Sequence, residues 1–327
     1  MRAVVITRPG EAEVLQLQDR PLPSPGRGEV RVRIRACAVN RADLLQRQGF
    51  YPAPAGAPAD IPGLEFAGEI DAVGDGVTEP ALGLPVFGLC AGGAYAEAIV
   101  VHSREVTRLP RGMSFTDAAA IPEAFVTAWD ALIVQAGLRA GESVLVHAAG
   151  SGVGTAAVQV ARAVGARVLG TARTAEKLER ALALGLDEGV RVTEGAGFAP
   201  AILQATDKRG VDVVLELIGG PYLAEDLACV APRARILLVG LLAGARAELD
   251  LRPLLNQRVR ISGTVLRARP LEEKIEAVQR LARHLVPLFE RGQLAPVVHQ
   301  VLPLERAAEA HQLVASGVTF GKVVLAV

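Results

Sequence analysis

Gly150, Ser151, Gly152, Val153 and Gly154 stand between an apolar run, Ser143 to Ala149, and a stretch with Val158, Ala161 and Val164 at helical spacing. Gly165 closes that stretch, and a second apolar run, Ala166 to Thr171, follows it. Strand, glycine turn, helix, strand is the order that seats a pyrophosphate at a helix N-terminus. There the first amides lack partners and the helix dipole favours an anion. Glycines suit the turn because the backbone must bend sharply, approach the phosphates and let helix pack on strand. The expected ligand is a dinucleotide, with the amides of Gly152, Val153 and Gly154 on its pyrophosphate.

The end of the second run decides which dinucleotide. A free ribose diol is usually held by Asp or Glu about 20 residues beyond the glycines. Here the chain reads Ala172, Arg173 and, after one helical turn, Lys177. Cations in place of an acid favour a 2′-phosphate, and so NADPH. Arg191 is a further cation nearby. The competing reading of Arg173 and Lys177 is a solvated helix start.

These residues need a scaffold. From 143 to 266 strand-like runs (143–149, 166–172, 190–193, 211–218, 234–242, 259–266) alternate with helical ones (154–164, 175–184, 197–206, 222–229, 250–257). Such alternation predicts a doubly wound parallel sheet of six strands. Gly240 and Leu241, after the fifth strand, and Val265 and Leu266, after the sixth, fall at carboxyl ends of strands, where ligands bind in such sheets. Residues 1–110 hold 11 of the 20 prolines, with short strand-like runs at Ala3–Thr7, Val30–Val39, Glu65–Val73, Leu84–Leu89 and Ala94–Val101. They predict a twisted, partly closed β domain, interrupted by a short helix over Asn40 to Gln48. Beyond 266, a helical stretch at 271–291, a strand at 296–302, a helix at 305–316 and a strand at 321–327 are expected to return to that first domain.

Composition narrows the class. The 327 residues carry 35 Lys+Arg against 35 Asp+Glu, and half are hydrophobic. Zero net charge without a basic block argues against a nucleic-acid or anionic-membrane partner. No run is long and apolar enough for a membrane span, and the N-terminus reads as a strand rather than a signal peptide. A cytoplasmic protein is expected. Cys37, Cys90 and Cys229 form no paired motif, and the five histidines show no ligand spacing. Only four lysines stand against 31 arginines, so each lysine carries more information than usual.

Several stretches resemble the zinc-less quinone oxidoreductase branch of the medium-chain dehydrogenase/reductase superfamily. They are A-V-N-R-A-D at 38–43, Gly49-Phe50-Tyr51-Pro52, P-G-L-E-F-A-G at 62–68, A-A-A-I-P-E-A-F-V-T-A-W at 118–129, H-A-A-G-S-G-V-G-T-A-A-V-Q at 147–159 and G-K-V-V-L at 321–325. The resemblance implies a Rossmann domain (125–266) inserted into a GroES-like catalytic domain (1–124 and 267–327). In the zinc enzymes of that superfamily a Cys ligand stands at the position of Asn40 and a His at that of Leu64. Leucine cannot bind zinc and an amide binds it poorly, so no metal is expected.

Without a Lewis acid, the charge left by hydride addition must be tolerable on the product. A quinone spreads it over a ring and two oxygens, and a conjugated enone is the next easiest acceptor. NADPH-dependent quinone reduction is therefore expected. An alkenal or enone double-bond reductase and a non-catalytic NADPH-binding protein are the alternatives. The resemblance places Tyr51 in a loop bordering the nicotinamide, as a hydrogen-bond donor or a loop anchor. It places Thr127 at the nicotinamide amide, where simple helix packing is the other reading. Asn40 is either a helix N-cap or a contact to substrate or nicotinamide, and Asp43 caps or pairs locally. Relatives carry a small residue at the position of Arg173 and a tyrosine at that of Val192; this chain departs at both. The apolar, β-branched sixth strand (V-R-I-S-G-T-V-L, 259–266) predicts a homodimer joined by edge pairing.

Overall fold

The computed structural model describes residues 1–193 and 197–327. It opens on a hairpin, β1 (Arg2–Ile6) with β2 (Leu15–Asp19), followed by β3 (Glu29–Ala38), α1 (Arg41–Arg47), β4 (Glu65–Val73), β5 (Pro85–Leu89), β6 (Ala98–His102), β7 (Val106–Arg108), α2 (Phe115–Ala119) and α3 (Pro122–Trp129). Six strands then alternate with helices: β8 (Ser143–Val146), α4 (Gly152–Ala163), β9 (Arg167–Ala172), α5 (Ala175–Leu182), β10 (Glu188–Arg191), α6 (Ala199–Ala205), β11 (Val211–Glu216), α7 (Tyr222–Ala228), β12 (Val230–Leu238), α8 (Arg252–Asn256) and β13 (Arg260–Gly263). The chain ends through α9 (Leu271–Arg280), α10 (Val286–Glu290), β14 (Val298–Pro303), α11 (Ala307–Ser316) and β15 (Lys322–Ala326). Two compact units result: Met1–Val126 with Leu266–Val327, and Thr127–Val265.

The second unit holds the expected six-stranded parallel sheet, in the order β10-β9-β8-β11-β12-β13. Its strands are buried on both faces and so read as continuous apolar runs. Val144, Leu145, Val146, Val213, Val214 and Leu215 are fully buried. The order reverses between β8 and β9 on one side and β11 on the other, and the glycine turn follows β8 at that point. Small residues on α4, Ala156, Ala157 and Ala161, let the helix pack closely on the sheet. Three strands differ most from expectation. β10 lies two residues earlier than 190–193, β12 four residues earlier than 234–242, and β13 covers only Arg260–Gly263 of the predicted 259–266. β10 and β13 are edge strands, where one missing neighbour removes half the ladder.

The first unit is built on a mixed sheet in the order β14-β15-β3-β4-β5-β7, with β6 paired to β3. Its returning segment is tied in by β15, which pairs antiparallel with β3. An apolar cluster including Val30, Val32, Phe66, Ile70, Val86, Tyr95 and Val323 fills it. Among the described residues no helix is long and apolar enough to cross a membrane.

Candidate active site

In the nucleotide-type unit, Ala148 takes a left-handed conformation (φ 47°) just after β8, and its carbonyl accepts the Ser151 amide at 2.8 Å. Ser151 is the N-cap of α4, its Oγ accepting from the Gly154 amide at 3.0 Å. That bond leaves the amides of Gly152 and Val153, which donate to nothing among the described residues. A Cβ on Gly154 would lie 2.2 Å from the Ala148 carbonyl oxygen, so only glycine fits there. The same holds at Gly240, where a Cβ would meet the Leu217 carbonyl at 2.5 Å. Leu241 beside it is half exposed.

Arg173 follows β9 and is exposed, and Lys177 sits in the first turn of α5, capped by Thr174. The Lys177 ammonium is held below its usual range by partial burial and by Arg173. Arg191 Nε donates to the Arg173 carbonyl at 3.4 Å. Arg173 is also close enough to Tyr222 to pull that phenol down against the rise that burial and Glu216 cause. Three cations thus gather at the end of β9, and like charge has depressed one of them. Val192 is buried.

The fold also assembles a group that sequence spacing concealed. His147, at the end of β8, donates or accepts at 2.8 Å to Thr171 through Nδ1 and at 2.8 Å to Asp226 through Nε2. Glu216 Oε2 lies 3.6 Å from the same Nε2. All three titratable groups are fully buried, and Phe198 and Tyr222 pack on the imidazole. Burial lowers His147 to about 4 and raises Glu216 and Asp226 to about 7 each. Their ligand atoms lie within 4.8 Å of one another, a spacing that could admit a metal ion. The imidazole–Asp226 distance is that of a hydrogen bond, and a proton shared between the carboxyls balances the charge. Three distant stretches contribute, which is why the histidines looked scattered in the sequence.

In the other unit, Asn40 precedes α1 as its N-cap. Its backbone N–H is accepted by Asp43 at 2.8 Å. Its side-chain amide is engaged at both ends: Nδ2 donates to Glu65 Oε1 at 2.8 Å, and Oδ1 accepts from Lys322 Nζ at 2.5 Å. Lys322 Nζ also lies 2.6 Å from Glu65 Oε1 and donates to the Val39 carbonyl at 3.1 Å. Lys322 is 5% exposed and Glu65 is fully buried. Asp43 is fully buried, accepts from the Gly63 amide and the Tyr95 hydroxyl, and is raised by burial to about 6. Its role is local, as expected for a capping residue.

Tyr51 is anchored through Arg267. That guanidinium lies 5.2 Å from the Tyr51 ring centroid and donates to the Tyr51 carbonyl (3.2 Å), the Ala91 carbonyl (2.8 Å) and Gln46 Oε1 (2.5 Å). Arg267 is 4% exposed. The Tyr51 hydroxyl has no hydrogen-bond partner among the described residues. Thr127 is buried on α3 in the nucleotide-type unit, and Leu266 is buried in the other. Sequence reasoning passed over Arg267, Lys322 and Glu65. The scarcity of lysine and the G-K-V-V-L stretch were the one signal pointing to Lys322.

Residues 152–283 match the zinc-binding dehydrogenase family, and residues 26–111 the alcohol dehydrogenase GroES-like domain. A human quinone oxidoreductase is 36% identical over 99% of this chain and 97% of its own length. Among solved structures, an NAD-dependent alcohol dehydrogenase is 35% identical with a TM-score of 0.89, each chain fully covered. The Escherichia coli quinone oxidoreductase complexed with NADPH is 27% identical, also with a TM-score of 0.89 and full coverage of both chains.

Proposed function

The chain belongs to the medium-chain dehydrogenase/reductase superfamily, with quinone oxidoreductases among its relatives, and on that premise we propose that it reduces quinones with NADPH and without a metal. The Lys322 ammonium carries this reading. It is fixed on Asn40 and Glu65 at 2.5 and 2.6 Å, at one of the positions where the superfamily's zinc enzymes bind metal. The other position is Leu64, 1% exposed and without a donor atom. A second cation beside that ammonium would meet an amide already engaged at both ends and a carboxylate already paired. The residues do not fit zinc, and no step runs through one.

The residues do fit a dinucleotide. The Gly154 cradle, the amides of Gly152 and Val153, and the cations Arg173, Lys177 and Arg191 match a pyrophosphate and a 2′-phosphate. When bound, NADPH supplies the hydride. The chain's own work is to hold the reacting partners and to receive charge. Much of the rate comes from that positioning, and Tyr51 offers a free hydroxyl to a carbonyl oxygen as negative charge grows there. The unpartnered hydroxyl also favours a second reading, reduction of the double bond of a conjugated enone, where the charge stays localised and a donor matters more.

Oxidation of NADPH followed with 1,2-naphthoquinone, 1,4-benzoquinone and a short 2-alkenal tests the proposal. Quinone turnover that survives chelator treatment is the expected result. Turnover lost to chelator and restored by zinc removes the metal-free mechanism, and an inert protein that still binds NADPH removes the enzyme.

A further inference from the structure

Arg267 is a buried cation with no anion beside it. Its Nε donates to the Ala91 carbonyl at 2.8 Å, Nη1 to the Tyr51 carbonyl at 3.2 Å and Nη2 to Gln46 Oε1 at 2.5 Å. All three partners are neutral oxygens, and among the described residues no carboxylate pairs with the guanidinium. Buried charges are ordinarily matched by an opposite charge, because neutral hydrogen bonds offset only part of the desolvation. Here the charge stays uncompensated, and the guanidinium carbon stands 5.2 Å from the centroid of the Tyr51 ring.

Three stretches of the GroES-like unit meet on that one side chain. Gln46 lies on α1, Tyr51 in the loop after it and Ala91 beyond β5. Gln46 carries the clamp one step further, its Nε2 donating to the Ala59 carbonyl at 3.1 Å. The backbone amides of Phe50 and Tyr51 both donate to the Leu45 carbonyl, at 2.8 and 3.2 Å. The loop is thereby fixed at its backbone and at its aromatic ring, and the Tyr51 hydroxyl is the part left open. A planar guanidinium, its N–H groups set in fixed directions, can hold three oxygens at once; an ammonium is a point charge and cannot.

The charge also acts on that hydroxyl. Burial raises the phenol above its usual range, Arg267 draws it back down, and Glu123 adds a smaller rise. The same guanidinium lowers Asp43 and Glu123 against their burial. A phenol with a cation on its ring is a stronger donor to an oxygen that is gaining negative charge.

We propose that Arg267 is a positioning residue of the reduction, holding the Tyr51 loop in place and supplying, from behind the ring, the positive charge that the substrate oxygen meets through the Tyr51 hydroxyl. The inference rests on the hydride-transfer reading above, with Tyr51 as donor. The fixed cation finds its missing counter-charge when hydride addition makes the substrate oxygen negative, so it favours the transition state over the ground state. No bond to Arg267 forms or breaks.

The test places Arg267→Met and Arg267→Lys in the wild-type background and again in Tyr51→Phe, with kinetics on a short 2-alkenal and on 1,4-benzoquinone, and NADPH affinity read by fluorescence. Arg267→Met should lower kcat/KM for the alkenal about two- to tenfold, as much as Tyr51→Phe itself, because one hydrogen bond is at stake. Arg267→Lys keeps the charge without the fork and should cost less. Both should leave NADPH affinity unchanged, and neither should lower the rate further in Tyr51→Phe, where the group they act through is gone. Tyrosinate absorbance gives a second reading, with Tyr51 assigned among the three tyrosines by difference from Tyr51→Phe. Arg267→Met should move that phenol's ionisation to higher pH, and Arg267→Lys should move it less. Equal costs in both backgrounds overturn the inference and leave Arg267 a scaffold residue, as does a Tyr51 phenol that ionises at the same pH in wild type and Arg267→Met. Wild type that turns over neither acceptor overturns the proposed function and this inference with it.

Discussion

Tyr51 is restrained at its ring and its carbonyl by one arginine while its hydroxyl stays unpartnered. Removing that hydroxyl therefore deletes a donor without loosening the loop. Tyr51→Phe is expected to lower kcat/KM about two- to tenfold for an enone, the equivalent of one neutral hydrogen bond of about 0.5–1.5 kcal/mol, and less for a quinone. Parallel kinetics on both acceptors check this, and equal negligible effects return Tyr51 to the role of loop anchor. Arg173 and Lys177 are the residues proposed to meet the 2′-phosphate. Replacing both with Ala should raise KM for NADPH by roughly ten- to a hundredfold and leave that for NADH nearly unchanged, since each contact to a charged group contributes about 1.5–3 kcal/mol and two on one phosphate need not add. The wild-type preference should also shrink with salt. A double mutant that still prefers NADPH transfers the selectivity to Arg191, and a wild type that prefers NADH refutes the reading of the turn.

Among the elements, β8, the glycine turn and α4 were legible because their signals are local: an apolar run, glycines, then helical spacing within one stretch. The glycines' reasons are equally local, as the 2.2 Å approach at Gly154 shows. The groups that meet across elements were not legible. Nothing about His147 in the sequence points to Asp226 on α7 or Glu216 on β11. No periodicity links them, and only the sheet order brings β8 beside β11. Their pairing has a measurable sign. Glu216 and Asp226 are both raised, so between about 4 and about 7 the folded unit holds a proton that the unfolded chain has lost. That contribution to stability is complete at the acidic end and lost as pH rises through the folded value. His147, lowered to about 4, acts in the opposite direction below about 6.5. Glu216→Gln keeps an oxygen for the Ile218 and Gly219 amides and replaces the shared proton with a permanent N–H. The variant should therefore gain on wild type between pH 5 and pH 8, by on the order of 2 kcal/mol. Thermal unfolding at the two pH values reads this directly, and a difference in Tm that does not change with pH removes the shared proton.

For the whole molecule, the sixth strand sets the expected assembly. β13 pairs with β12 and leaves its other edge open within the chain, and Ile261 is only partly buried there. Such an edge is normally covered or paired. A homodimer joined at β13 is expected, with Ile261→Lys giving monomer or aggregate. Light scattering at micromolar concentration checks it, and a monomeric wild type refutes it. The Asn40–Lys322 bond has another consequence, in the time of synthesis. Its partners are 282 residues apart. A ribosome adding about 5–20 residues per second therefore delivers the lysine roughly 14–56 seconds after the asparagine. During that interval the Glu65 carboxylate has no ammonium to balance its burial. The early strands wait, incomplete, while the whole dinucleotide unit is made and is free to fold. The last piece to arrive is the one that balances Glu65, so a chain interrupted before residue 322 carries a finished nucleotide-type unit beside an unfinished partner.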